Sequence, residues 1–191
     1  MPVMGAKSNQ VRIIAGHWRG RKLGFPDIEG LRPTSDRIRE TLFNWLAPVV
    51  PGAVCLDLYA GSGALGFEAA SRGAAQVILI DRDARVVQSL QENRRRFDAD
   101  QVEVIAGDGL TCLAGRNQRF DIVFLDPPFA RPELLTQAIN SLSSGDYLSE
   151  GAYIYIETAA QMAGIDIPNS WTLLKQKQAG AVRYCLYRSS N

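Results

Sequence analysis

The sequence is poor in the residues that build metal centres and disulfide frameworks. Among its 191 residues it has one histidine, His17, and three cysteines, Cys55, Cys112 and Cys185, which lie far apart and form no Cys-x-x-Cys motif. A zinc site usually needs several closely grouped cysteine and histidine ligands, so we expect no metal. An odd number of separated cysteines in apolar surroundings is typical of reduced thiols in a cytoplasmic protein.

Long apolar runs and a secretory signal are also missing. No apolar stretch reaches the length needed to cross a bilayer, and the first residues lack the apolar core and cleavage site of a signal peptide. We therefore expect a cytoplasmic protein without a membrane partner. A chain of this length, with 46% hydrophobic and 21% charged residues, supports one full domain and a small appendage.

The net charge of +1 hides an uneven distribution of charge along the chain. Residues 1–40 contain eight Lys and Arg against four Asp and Glu, a net of +4, and the remainder contains 13 against 16, a net of −3. Within residues 1–26 there are five basic residues and no acidic one. A basic segment on a mildly acidic body is typical of a polyanion-binding arm, and a solvated surface segment is the alternative.

The basic segment also carries an apolar pattern that predicts local structure. In VRIIAGHWRGRKLGF, the spacing of Gly16 and Gly20 predicts a turn between two short strands. The expected element is a small N-terminal β-hairpin that presents arginine and an aromatic side chain, Trp18, to a partner. We assign residues 1–30 to this extension and residues 31–191 to the main domain.

The next segment, RPTSDRIRETLFNWL, predicts a helix. Thr34 or Ser35 can cap its first turn, and Pro48 lies just beyond its expected end. Apolar residues at helical spacing predict one buried stripe, formed by Ile38, Leu42, Trp45 and Leu46.

From residue 53 the chain alternates between strand-like and helix-like segments. Strands are predicted at 53–59, 77–80, 102–105, 120–125 and 152–156. Helices are predicted at 64–72, 84–97, 110–113 and 133–142. This alternation predicts a Rossmann-like, doubly wound α/β fold with a mainly parallel seven-stranded sheet. The segments WTLLKQKQ and AVRYCLYR, joined through Ala179-Gly180, predict an antiparallel C-terminal hairpin.

Signals for ligand binding follow three successive predicted strands. The loop DLYAGSGALG opens a helix, and its glycines let a ligand approach the backbone closely. Asp81 follows the second strand, where a carboxylate can accept hydrogen bonds from ribose hydroxyls. Asp108 follows the third strand, where a carboxylate can accept from an adenine amino group. The candidate cofactor-binding residues are Asp57, Tyr59, Gly61, Gly63, Asp81 and Asp108.

The most informative stretch is Asp126-Pro127-Pro128-Phe129, directly after the apolar strand FDIVFL. Two prolines cannot join the ladder of a sheet, so the chain must leave the sheet after Asp126. This places a carboxylate, free carbonyls and an aromatic ring at the carboxyl edge, where open α/β sheets bind ligands. An exocyclic amine on a flat heterocycle fits such a site, and we predict methyl transfer to a base nitrogen. The candidate catalytic residues are Asp126, Pro127 and Phe129.

Five segments, which together cover nearly the whole chain, carry a resemblance to a known family. They are VRIIAGHWRGRKL, RPTSDRIRETLFNWL, LDLYAGSGALGFEAASRG, FLDPPF and AYIYIE. In this order they resemble the bacterial RsmD family, guanine-N2 methyltransferases of 16S ribosomal RNA. The resemblance implies a class I methyltransferase with S-adenosyl-L-methionine as cofactor. It also implies a monomer that acts on the assembled or assembling small ribosomal subunit.

With an RNA substrate, we expect the basic segment to bind ribosomal RNA phosphates. The candidate RNA-binding residues are Arg12, Arg19, Arg21, Lys22 and Arg37, of which Arg37 is assigned by the resemblance alone. The opposing interpretation is that the segment covers the domain core, since its apolar residues must pack on something.

Three other functions stay open at the level of the sequence. A DNA or RNA adenine-N6 methyltransferase shares DPPF-type motifs, although this chain has no room for a large target-recognition region. An NAD-dependent oxidoreductase would explain the glycine loop and Asp81 but gives DPPF no role. A non-catalytic RNA-binding protein would explain the basic arm, but it predicts a damaged glycine loop or DPPF carboxylate, and both are intact.

Overall fold

The apolar runs of the chain become the strands of a central sheet in the computed structural model, which describes residues 9–190. The strands are β1 (Asn9–Arg12), β2 (Lys22–Phe25), β3 (Val54–Asp57), β4 (Gln76–Asp81), β5 (Val102–Ala106), β6 (Phe120–Leu125), β7 (Leu148–Ala159), β8 (Trp171–Ala179) and β9 (Val182–Ser189). The helices are α1 (Asp36–Leu46), α2 (Ala64–Ser71), α3 (Ala84–Arg96), α4 (Gly109–Ala114) and α5 (Pro132–Ser144). The first eight residues of the predicted 1–30 extension lie outside the described residues.

Seven strands form one sheet in the order β5-β4-β3-β6-β7-β9-β8. The pairings from β5 through to β7 are parallel, and β9 runs antiparallel to both β7 and β8. The predicted doubly wound sheet with an antiparallel C-terminal hairpin is therefore confirmed. The direction of winding reverses between β3 and β6, so a crevice opens at the carboxyl ends of these strands, where such folds bind ligands.

Both faces of the sheet are covered, which explains why its parallel strands are almost continuously apolar. Successive residues of a strand point to opposite faces, so Cys55 and Leu56 of β3 belong to two different core clusters. The first cluster includes side chains of α1, α2 and α3, and the second includes side chains of α4 and α5. The five parallel strands are thereby held rigidly between two layers, and their carboxyl ends have fixed positions.

Strands β1 and β2 form the predicted N-terminal hairpin. Its apolar side belongs to the same core cluster as α2 and α3, through Val11, Ile13, Trp18, Leu23 and Phe25. Trp18 is only 3% exposed, and its ring centroid lies 5.2 Å from that of Phe97. The expectation that the hairpin presents this ring to a partner was wrong, because a two-stranded hairpin needs a buried apolar side to be stable. The boundary at residue 30 stays a prediction.

Hydrogen bonds from backbone amides of the hairpin turn join it to α2. The Glu68 carboxylate accepts from the amides of Ile14 and Ala15 at 2.8 and 3.0 Å. Gly16 has a φ of +82°, and a Cβ at this position would lie 1.9 Å from the carbonyl oxygen of Ser71. Only glycine fits such a close approach, so the predicted turn residue also permits the docking of the hairpin.

Helix α1 carries most of the buried stripe that its spacing predicts. Ser35 is its N-cap, and its side chain accepts from the amide of Ile38. The buried residues of the predicted stripe are Ile38, Leu42 and Leu46. Trp45 is half-buried and stacks on Tyr184 of β9 at 5.5 Å, so the helix lies across the antiparallel end of the sheet.

An arginine of α1, Arg39, is fully buried. Its guanidinium donates to the carboxylates of Asp36 at 2.6 Å and Glu68 at 3.4 Å. It also donates to the carbonyl oxygens of Arg12 at 2.9 Å and Thr34 at 3.2 Å. A buried charge must be paired and hydrogen-bonded, and Arg39 meets this need by joining the hairpin, α2 and the segment before α1.

Candidate active site

The glycine loop makes a sharp turn between β3 and α2. Gly61 and Gly63 have φ values of +51° and +76°, in the left-handed region that favours glycine. At Gly63 a Cβ would lie 2.6 Å from Leu90 and 2.9 Å from Phe67, so the loop packs against the domain only with glycine there. The loop backbone therefore lies at the carboxyl end of β3, where a ligand can approach its peptide groups.

Asp81, the last residue of β4, is oriented by two backbone hydrogen bonds. Its Oδ2 accepts from the amide of Gly61 at 3.0 Å, and its Oδ1 accepts from the amide of Asp83 at 2.9 Å. The side chain is half-buried, and each oxygen keeps a further lone pair. The two neighbouring hydroxyls of a ribose could donate to these lone pairs without displacing either backbone bond.

Asp57, at the end of β3, lies inside the protein. It is 2% exposed, and its Oδ2 accepts from the amide of Gly66 in the first turn of α2 at 3.2 Å. The pKa of this carboxyl is raised to about 7, mainly by burial; the bond from Gly66 lowers it and the charge of Asp81 raises it. Asp57 thus anchors the helix that follows the glycine loop, and its contact with a cofactor stays a prediction.

Tyr59 follows β3 and Asp108 follows β5, the strands on either side of β4. Asp108 is the N-cap of α4, and its Oδ1 accepts from the amide of Thr111 at 3.0 Å, which is the main reason that its pKa is lowered. The Tyr59 hydroxyl donates to the carbonyl of Leu134 at 3.0 Å, and burial raises its pKa to about 12. Asp108 is therefore charged at neutral pH and solvent-accessible, as a hydrogen-bond acceptor for a ligand must be.

The DPPF segment leaves the sheet directly after β6, at the reversal point of the winding. Asp126 is half-buried and Pro127 is buried, whereas Phe129 is 45% exposed. The amide of Arg131 donates to the carbonyl of Pro128 at 2.8 Å and closes the turn. A large aromatic ring exposed beside a half-buried carboxylate is the arrangement that the sequence predicts for binding a flat heterocycle.

Sequence reasoning did not assign Thr34 and Glu157 to the site. Thr34 contacts the Asp126 carboxylate, and Glu157 contacts Thr34. Thr34 Oγ1 lies 3.3 Å from Asp126 Oδ2 and 3.3 Å from Glu157 Oε2. The hydroxyl of Tyr155 donates to the same Oε2 at 2.7 Å. A signal was present in AYIYIE, because Tyr155 and Glu157 occupy alternate positions of an apolar strand and therefore point to one face.

These carboxyl groups make the site strongly acidic. Burial raises the pKa of Asp126 well above its usual value, and the charges of Glu157 and Asp57 raise it further. Burial also raises the pKa of Glu157, while its hydrogen bonds from Tyr155 and Thr34 oppose the rise. Within residues 9–190 no lysine or arginine forms an ion pair with any of the three carboxyl groups. A cationic ligand would therefore be stabilised at this edge of the sheet.

The hairpin and the end of α3 form a basic surface. The predicted residues Arg12, Arg19, Lys22 and Arg37 are exposed. The guanidinium of Arg21 lies 4.1 Å above the centroid of the Phe97 ring and donates to the carbonyl of Arg96, so this residue also has a structural role. The exposed run Arg94–Arg96 adjoins the hairpin, since Arg96 donates to the carbonyl of Lys22. This extension was missed, although its three consecutive arginines were a visible signal.

A groove of about 390 Å³ lies between the hairpin and the segment before α1. Arg12 and Lys22 of the hairpin and Thr34 are among the residues that line it. The buried hydroxyl of Thr34 contacts Asp126, so one lining residue of the groove adjoins the acidic site. Two of the predicted basic residues thus line the groove, whereas the predicted catalytic residues are not among its lining residues.

Residues 9–190 contain no group of three or more His, Cys, Asp or Glu side chains placed to hold a metal ion. None of the helices in the same range is long and apolar enough to span a bilayer.

A glycine loop after the first parallel strand, an acidic residue after the second and a DPPF segment at the reversal point define a class of protein. Together with the order of the sheet, they identify the fold and site of a class I S-adenosylmethionine-dependent methyltransferase. The model of a family described as "Conserved hypothetical protein 95" matches residues 11–188. The chain belongs to this family, the RsmD family, and the resemblance found in the sequence is confirmed.

Relatives in the family are similar over nearly their whole length. The Ribosomal RNA small subunit methyltransferase D of Escherichia coli strain K12 is 49% identical over 181 residues, which are 95% of this chain and 91% of that protein. The protein of the same name from Haemophilus influenzae is 48% identical over 184 residues, 94% of each chain. Membership of this family removes the NAD-dependent oxidoreductase as an interpretation of the glycine loop.

Solved structures show the same fold. The Escherichia coli protein yhhF superposes with a TM-score of 0.88 at 48% identity, covering 95% of this chain and 98% of that one. A Salinibacter ruber RNA methyltransferase, solved in complex with S-adenosyl-L-homocysteine, superposes with a TM-score of 0.62 at 19% identity and shares the fold.

Proposed function

We propose that the protein transfers the methyl group of S-adenosylmethionine to the exocyclic N2 amine of a guanine in 16S ribosomal RNA. The observation that carries this proposal is the half-buried Asp126 beside the exposed Phe129 at the reversal point of the sheet. Relatives named Ribosomal RNA small subunit methyltransferase D supply the class of substrate.

The residues of the cofactor site fit S-adenosylmethionine. The oriented carboxylate of Asp81 suits the ribose hydroxyls, and the free oxygen of Asp108 suits the adenine amino group. The loop at Gly61 and Gly63 allows close approach to its backbone. When bound, this cofactor supplies an electrophilic methyl group on a sulfonium cation, and the acidic surroundings of Asp126 stabilise a cation.

At the target base, the task of the protein is to orient a poor nucleophile. The lone pair of an exocyclic purine amine is delocalised into the ring. Asp126 and the carbonyl of Pro127 can accept its two N–H bonds and draw the nitrogen toward tetrahedral geometry. Phe129 offers an exposed face on which the base can stack once it has been turned out of its neighbours. Catalysis in this scheme is positioning and electrostatic stabilisation.

The groove between the hairpin and Thr34 is the proposed path of the RNA toward the site. Phosphates would lie against the exposed Arg12, Arg19 and Lys22. Arg37, assigned to RNA binding by the family resemblance, is exposed in the first turn of α1 and is proposed to add a further phosphate contact. We infer a substrate that is the assembled or assembling small ribosomal subunit, with the protein acting as a monomer in the cytoplasm.

The proposal is tested by incubating the protein with labelled S-adenosylmethionine and small subunits from a strain that lacks the activity. The labelled nucleoside is then identified and mapped. N2-methylguanosine at one position of 16S RNA is the expected result, and protein-free 16S RNA serves as the comparison substrate. Label in N6-methyladenosine would favour the adenine-N6 alternative, and absence of label in RNA would contradict the proposal.

A further inference from the structure

A single hydroxyl group, that of Thr34, lies between two carboxyl groups. Thr34 Oγ1 is 3.3 Å from both Asp126 Oδ2 and Glu157 Oε2. A hydroxyl has one proton to donate and can also accept. If both carboxyl groups were ionised, only one could receive that proton. If one carboxyl is protonated, it donates to Oγ1 while Oγ1 donates to the other, and both contacts are satisfied.

The surroundings of the two carboxyl groups indicate which one is ionised. Glu157 is 6% exposed and receives a second hydrogen bond, from the Tyr155 hydroxyl at 2.7 Å. Two donors favour its charged form, so the shared proton belongs on Asp126. The raised pKa of Asp126, caused by burial and by the charges of Glu157 and Asp57, agrees with this placement.

The other groups that face this pair do not neutralise it. Asp57 approaches from β3, and Tyr155 and Tyr184 approach from β7 and β9. All of them are acids, and the ion pairs within residues 9–190 bring no basic group to the pair. The pair can therefore lose its shared proton readily only when a cation arrives from outside the protein.

We propose that Asp126, Thr34 and Glu157 share one proton in the free protein, release it when the sulfonium of S-adenosylmethionine binds, and take up the proton that leaves the methylated nitrogen. This inference rests on the proposed function. Asp126 contacts the target amine and is catalytic, whereas Glu157 is a positioning residue that acts on Asp126 through Thr34.

The atoms and charges balance over one reaction cycle. The amine lone pair forms the new N–C bond, the C–S bond breaks, and its electron pair stays on sulfur, which becomes a neutral thioether. The nitrogen is then cationic, an N–H bond breaks, and its proton passes to Asp126. The carboxyl pair is then singly protonated again, and the methylated amine is neutral. Binding of the next cofactor molecule would release that proton to solvent.

Calorimetry of the full chain, in buffers of different ionisation enthalpy near pH 7, tests the inference without RNA. S-adenosylmethionine binding should release about one more proton per site than binding of S-adenosylhomocysteine, which lacks the positive charge. The Glu157→Gln variant should lose this difference, because Asp126 then has no charged neighbour across Thr34. Thr34→Ser, which keeps the hydroxyl, should retain the difference.

The controls separate this inference from the proposed function. Glu103→Gln changes an exposed carboxylate that pairs with Arg116 away from the site, and it should leave proton release unchanged. Equal proton release for both ligands in the unaltered protein would overturn the inference while leaving methyl transfer intact. Proton release that survives Glu157→Gln but disappears in Asp57→Asn would assign the proton to Asp57 and would also overturn it. A protein that binds neither ligand would overturn the proposed function and the inference together.

Discussion

Carboxyl groups at three neighbouring strand ends have different immediate surroundings. Asp81 accepts two backbone hydrogen bonds and is half-buried, so it presents a fixed pair of acceptors. Asp57 is sealed in the core, and Asp126 faces another carboxyl group across Thr34. The same residue type is therefore a helix anchor at one position and is proposed as a ligand acceptor and a proton carrier at positions only one or two strands apart.

The role proposed for Asp81 predicts a specific loss of cofactor affinity. Asp81→Ala removes a charged acceptor from the ribose and should weaken S-adenosylmethionine binding by about 1.5–3 kcal/mol. Calorimetry measures the affinity, with Asp100→Ala as a control for the loss of an exposed carboxylate. Unchanged affinity in a folded Asp81→Ala protein would remove this assignment.

The role proposed for Asp126 predicts a loss of turnover, whereas the role proposed for Asp81 predicts a loss of affinity. Asp126→Ala should lower single-turnover methylation at least ~100-fold, because an interaction made with the reacting amine is gone. Affinity for S-adenosylhomocysteine, which lacks the positive charge, should change little, since the ribose and adenine contacts remain. Calorimetry measures affinity and rapid-quench methylation measures turnover, both on the same preparation. Either surviving activity or a collapse of ligand binding would contradict the role proposed for Asp126.

At the scale of single elements, the hairpin, α1 and α2 are joined by the buried pair of Arg39 and Glu68. Replacing Arg39 leaves Glu68 with one basic partner, Arg72, and removes the bond to the Arg12 carbonyl. Arg39→Met should therefore lower the free energy of unfolding by about 3 kcal/mol or more. Urea denaturation measures the change, with Arg37→Met on the exposed face of the same helix as the control. Equal stability of the two variants would show that the buried pair contributes little.

Local patterns account for the elements that sequence analysis predicts correctly, and contacts between distant segments account for the features that it misses. Apolar runs and the turn residues between them mark each parallel strand, and proline and glycine mark the ends of the helices. The burial of Arg39 and Trp18 and the bridge from Thr34 to Glu157 depend on contacts between segments far apart in the chain. The Thr34 bridge alone spans 123 residues, and no periodicity in the sequence reports a contact of that length.

At the scale of the whole molecule, the division of charge predicts how RNA binding responds to salt. Removing residues 1–26 would uncover the core that Ile13, Leu23 and Phe25 help to form, so substitution of charges is the better test. The variant Arg12→Gln/Arg19→Gln/Lys22→Gln spares Arg21, which packs on Phe97. Each lost phosphate contact should lower the slope of log affinity against log salt by roughly 0.7–0.9.

The matched control for that variant is Lys175→Gln/Lys177→Gln, which removes exposed charges from the edge strand β8. Binding to small subunits is measured over a range of salt concentrations, with cofactor affinity as a check on folding. If the hairpin variant and the β8 variant keep the same affinity and slope as the unaltered protein, the hairpin only covers the core.

The buried carboxyl groups also make the stability of the whole molecule depend on pH. The pKa of Asp57 is raised from 3.8 to about 7, so the folded state binds more protons than the unfolded state between these values. The contribution of Asp57 to the free energy of unfolding is therefore present at low pH and is lost as pH rises through this window. Relative to the unaltered protein, Asp57→Asn should gain stability from pH 4 to pH 8, as measured by urea denaturation. A stability difference that does not vary with pH would contradict the burial of an ionisable group there.

The docking of the N-terminal hairpin has a consequence for the order in which the chain folds. Its hydrogen bonds reach forward, from Ile14 to Glu68 across 54 residues and from Gly24 to Asn93 across 69. A ribosome makes the hairpin first, yet the residues that bury its apolar side emerge only after α2 and α3 have been translated. An isolated two-stranded hairpin is only marginally stable in water. We therefore expect this segment to stay unfolded and exposed until α2 and α3 have formed, and to dock after them. Loss of its contacts should therefore accelerate unfolding and leave the folding rate nearly unchanged.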